Sequence, residues 1–114
     1  MTISYLQFMG PTVLPSGGAV TLFTLPSSPA STLLRGGRIR LTNTTGGAVA
    51  VTLYAVPAAG AAGAGNAFVS GKSVAANDFL DVDVPLIGPG AFVQGLAGAA
   101  ASITAHMISG SLFS

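Results

Sequence analysis

His106 is the one histidine of the chain, its acidic residues are Asp78, Asp81 and Asp83, and cysteine is absent. A catalytic centre built from these would need His106 as general base beside a serine or threonine hydroxyl, with an aspartate behind it to orient the ring. Alternation around His106 sets Ile103, Ala105 and Met107 on one side of an extended segment and Thr104, His106 and Ile108 on the other. Nothing in the spacing brings an aspartate beside the histidine. The chain therefore reads as non-enzymatic and without a cofactor, and His106 as a strand histidine at a surface or subunit contact.

Asp81 and Asp83 stand two apart, which puts both carboxylates on one face of a strand. They fall short of a metal centre, because a cation such as Ca²⁺ collects roughly six to eight oxygens. Arg38 and Arg40 repeat the same spacing on another segment. These four residues are the candidate polar contacts, paired either across neighbouring strands or across a subunit boundary, and such pairs set register and choice of partner more than stability. The glycine pairs Gly36-Gly37 and Gly46-Gly47 lack the following helix and the Lys-Ser or Lys-Thr of a phosphate loop, so they read as turns.

The elements that must carry these residues are strands. Apolar runs recur between clusters of Gly, Pro, Asn and Ser: residues 3–8, 19–25, 38–43, 48–56, 67–74, 79–84, 91–96 and 102–112. Val49, Val51, Leu53 and Ala55 alternate with smaller or polar residues, as do Leu80, Val82 and Val84 with Asp81 and Asp83. Asn43-Thr44-Thr45-Gly46-Gly47 suits a tight reversal, which predicts residues 38–43 and 48–56 as antiparallel neighbours. Residues 58–65 hold nothing larger than a methyl group and allow two readings, a flexible surface loop or a close backbone approach at a subunit contact. The pattern predicts an all-β antiparallel sandwich of about eight strands, jelly-roll-like. Residues 1–114 make a single domain, with residues 1–18 as an N-terminal arm or a first edge strand.

Four basic and three acidic residues make up 6% of the chain, against about 25% in ordinary soluble domains. A freely diffusing protein keeps a charged surface for solubility, so this one is expected to have much of its surface covered by neighbours. A net charge of +1 argues against nucleic acid, which is held by clustered Lys and Arg. Residues 91–113 are long enough to span a bilayer. They are broken by Gly95, Gly98 and Gly110 and carry Gln94, Ser102, Thr104, His106 and Ser109, so they read as strands and turns rather than a membrane helix. The first residues lack the basic start and apolar run of a secretory signal.

Arg38-Ile39-Arg40-Leu41-Thr42-Asn43-Thr44-Thr45-Gly46, Val51-Thr52-Leu53-Tyr54-Ala55-Val56-Pro57, the Gly/Ala segment ending in Gly65-Asn66-Ala67, Val74-Ala75-Ala76-Asn77-Asp78 and Phe92-Val93-Gln94-Gly95-Leu96-Ala97 together carry a resemblance. The chain resembles small β-sandwich virion structural proteins of tailed bacteriophages, from about residue 22 to residue 110. The resemblance implies a non-enzymatic virion component and carries over no functional residues. Its leading form is a capsid decoration, or cement, protein: a homo-oligomer, expected as a trimer, on the capsid surface, holding the major capsid protein or another virion protein. Ile3, Tyr5, Leu6 and Phe8 would then serve as arm contacts on a neighbour. The alternative is a tail, fibre or head-to-tail junction component touching the host surface; the absence of Trp and the presence of only Tyr5 and Tyr54 weigh against it.

Overall fold

Small and β-branched residues in period two, punctuated by Gly and Pro, leave helix little purchase, and the chain folds as strands. The computed structural model describes residues 3–4, 9–26, 33–85 and 87–113. Its strands are β1 (Ile3–Ser4), β2 (Thr12–Val13), β3 (Val20–Thr24), β4 (Leu33–Asn43), β5 (Val49–Val56), β6 (Ala67–Val74), β7 (Phe79–Asp83), β8 (Phe92–Ala97) and β9 (Ile103–Phe113). One sheet runs β1-β9-β4-β7, with β2 also paired to β9; the other runs β3-β8-β5-β6.

All pairings are antiparallel and nested. β1 and β2 lie along the two ends of β9 and share that one edge of the sheet. Inside that pair β3 meets β8, then β4 meets β7, then β5 meets β6. Rolling this long hairpin brings β4 against β9 and β5 against β8, closing two sheets. The result is an eight-stranded antiparallel sandwich with the strand order of a jelly roll.

Ile39, Leu41, Val51, Leu53, Val93, Ile103 and Ala105 fill the space between the sheets, fully buried. Aliphatic side chains alternating inward from both sheets make this core, and each contributes in proportion to the apolar area it removes from water. Gly95 sits where a methyl group would come within 2.7 Å of the Leu53 side chain and 3.2 Å of Leu14. β8 crosses the core closely there because it has no side chain to displace.

Two sequence expectations fail here. Residues 38–43 and 48–56 are not paired neighbours: β4 belongs to one sheet and β5 to the other, so residues 44–48 turn a corner between sheets. Asn and Gly serve a corner as well as a hairpin, and the apolar faces of β4 and β5 are both needed inside, on opposite walls. Gly36-Gly37 is not a turn either. Both lie within β4, where the register against β9 shifts between Arg35 and Arg38. Gly36 has φ +66°, and a methyl on Gly37 would meet Leu34 at 2.9 Å, so these glycines form a bulge through which β4 runs on. The segment 91–113 forms β8 and β9, and among the described residues no helix is long and apolar enough to cross a membrane.

Candidate functional site

Ile39 and Leu41 point into the core, so Arg38, Arg40 and Thr42 point out of the sheet. On β7 the outward residues are Phe79, Asp81 and Asp83, and the register sets Thr42 opposite Phe79, Arg40 opposite Asp81 and Arg38 opposite Asp83. Both sequence-singled pairs therefore meet within one sheet of one chain. Arg40 grips Asp81 with two bonds: Nε donates to Oδ1 at 2.8 Å and Nη2 to Oδ2 at 3.0 Å. Its guanidinium also lies 4.2 Å from the centre of the Phe79 ring. Arg38 makes a single contact, Nε to Asp83 Oδ1 at 3.0 Å, with both side chains largely in water.

The hydrogen bonds from Arg40 hold the Asp81 carboxyl below the usual carboxylate range, against a smaller opposing effect of desolvation; the same pairing raises Arg40. Chemically this is a charge-neutral ladder. On the far side of β4, Thr104 faces Thr42 and His106 faces Arg40, while Val13 on β2 faces Thr104. One row across the face thus reads His106, Arg40, Asp81, and the guanidinium stands between the imidazole and the carboxylate. Among the described residues no three His, Cys, Asp or Glu side chains gather as metal ligands. The exposed large hydrophobics Val13, Phe79 and Ile108 border the same ladder, Ile108 being the residue β9 inserts where its register shifts.

The other sheet presents a different outer face. Opposite the buried Val51, Leu53, Val93 and Ala97, the outward rows are Thr24–Phe92, Thr21–Gln94–Tyr54–Ala67, Leu96–Thr52 and Ala50–Ser73, while Val56 at the end of β5 is itself fully buried. No Asp, Glu, Lys, Arg or His occurs in these rows. Gln94 Nε2 donates to Thr21 Oγ1 at 3.0 Å, and the Gly71 N–H donates to Thr52 Oγ1 at 3.1 Å. Lys72, the one cation on β6, lies opposite the inward-facing Val51 and lines the groove between β6 and β7 with Phe68, Val69, Leu80 and Val82. The β5–β6 connection continues the uncharged surface. Residues 57–65 are exposed and free of charge, and Asn66 pins them, its Oδ1 accepting from Gly63 N–H and its Nδ2 donating to Ala61 O.

Asn43 escaped the sequence reading except as a turn former. It is buried, its Nδ2 donating to Gly47 O at 2.8 Å and to Val74 O at 3.1 Å, and its Oδ1 accepting from the Thr45 N–H and hydroxyl. It ties the β4–β5 corner to the end of β6. Of the proposed arm contacts, Ile3 enters β1, opposite Phe113, while Tyr5, Leu6 and Phe8 lie outside the described residues.

No protein-family model and no curated protein matches the chain. Among solved structures, one described as the structure of infectious bursal disease virus Gx strain is similar over 92% of this chain, with 16% sequence identity and a TM-score of 0.46. This chain spans 28% of the length of that one.

Proposed function

We propose that the chain is a non-enzymatic virion structural protein, a homo-oligomeric capsid decoration protein that sits on the shell and holds neighbouring subunits together. The observation that carries this reading is the distribution of charge. Four basic and three acidic residues serve the whole chain, and two of each are spent on one another in the ladder on a single face. An entire second face is left with neutral hydroxyl, amide and apolar groups, the composition of a surface that loses little when water is removed from it. The two-sheet sandwich and the resemblance in sequence to phage structural proteins support the same reading.

A decoration protein occupies a lattice, so it is present in hundreds of copies. The test is quantitative mass spectrometry of purified particles from the virus that encodes the chain. Copy number on the scale of the coat lattice, with capsids that become fragile when the chain is omitted, is the expected result. A few copies per particle, with loss of adsorption on omission, would instead make it a tail or fibre component.

A further inference from the structure

We infer that the uncharged outer face of the β3-β8-β5-β6 sheet is a self-association surface, on which a second copy of this chain docks face to face about a two-fold axis. The inference rests on the homo-oligomer reading and names the surface and symmetry that the reading leaves open.

Two faces are available, and charge together with area decides between them. On the ladder face, cations form one column on β4 and anions another on β7. A copy laid on this face puts Arg38 and Arg40 over Asp83 and Asp81 only if the two-fold axis runs between β4 and β7. β7 is the edge of its sheet. The overlap is then two strands wide and five residues long, about 10 Å by about 17 Å. That is on the order of 170 Å² per partner, far below the roughly 800 Å² of a standard interface. Any other placement sets like charges against each other or strips water from ion pairs without return.

The neutral face has no such restriction. Its four strands span about 19 Å, and strands of five to eight residues are about 17–27 Å long, so a full overlap covers on the order of 400 Å² per partner before the Gly/Ala connection adds to it. Areas of this size belong to weak, reversible pairs rather than obligate dimers. Thr21, Thr24, Thr52, Tyr54 and Ser73 carry hydroxyls that donate and accept alike, and Gln94 does both through its amide, so the face can satisfy itself across an axis. A charged partner would lose hydration there with no countercharge to meet it. Because one patch supplies both halves of the contact, the pairing is isologous and closes at two copies. The trimer expected from the sequence is the competing outcome of the test.

The experiment is sedimentation velocity on the full chain from about 5 to about 500 µM, with circular dichroism to check folding. Gln94→Lys places a cation in the centre of the face, and the axis doubles it. Thr21→Lys adds one to the exposed edge strand in the same row, where folding tolerates it. Thr104→Lys is the control on the ladder face. The wild type and Thr104→Lys are expected to pair, and both other variants to weaken pairing at least about 100-fold with unchanged dichroism. Pairing of Gln94→Lys and Thr21→Lys as in the wild type, a three-copy mass, or a wild type that stays single throughout would overturn the inference. Low copy number in particles would remove the decoration reading and leave this one standing.

Discussion

Arg40 and Asp81 are bound fork to fork, while Arg38 and Asp83 touch through one nitrogen. The consequence for pH follows from Asp81, whose carboxyl is depressed in the folded chain. Its contribution to stability is present above the unfolded carboxyl value of about 3.9 and is lost as pH falls through the lower folded value. Asp81→Asn should therefore melt below the wild type at neutral pH, and the gap should narrow in acid; a gap independent of pH would deny the ion pair its role. Asn43 matters through burial rather than charge. Replacing it with Ala removes its buried bond to the Val74 carbonyl, at about 1–3 kcal/mol for a buried group left unpaired, while Gly47 O keeps the Thr45 hydroxyl. A lower urea midpoint with unchanged slope is the expected reading. The arginine and aspartate faces were visible in the sequence because alternation is local. The role of Asn43 was not, because its partner Val74 lies 31 residues away.

Strand by strand, the period-two signal located β3, β5, β6, β7, β8 and β9 within a residue or two, because one wall of each is core and the other is not. It failed where pairing is non-local. Nothing between residues 43 and 48 distinguishes a hairpin from a corner, and only the nested partners β7, β8 and β9 determine that β4 and β5 part company. It also stopped β4 at Arg38, since Gly36-Gly37 looks like a terminus and acts as a bulge. Gly95 has a comparable hidden cause, close packing against Leu53 and Leu14. Gly95→Ala should destabilise by about 1–3 kcal/mol through overpacking of the sheet interior. An unchanged denaturation midpoint would mean that Leu53 yields without cost.

For the whole molecule, the decisive feature is the segregation of its few charges. One sheet turns an ion-pair ladder outward with Val13, Phe79 and Ile108 at its borders, and the other turns out a face without an ionised group. The sequence supplied the scarcity of charge but not its distribution, because that requires knowing which strands share a sheet. On the proposed reading, the neutral side is the one that lies against other subunits. The most direct measurement of this account is the mass of the purified chain by sedimentation equilibrium at neutral pH, up to about 500 µM. Reversible association is the predicted result; a single, fully soluble copy over the whole range would contradict the claim that this surface is completed by neighbours.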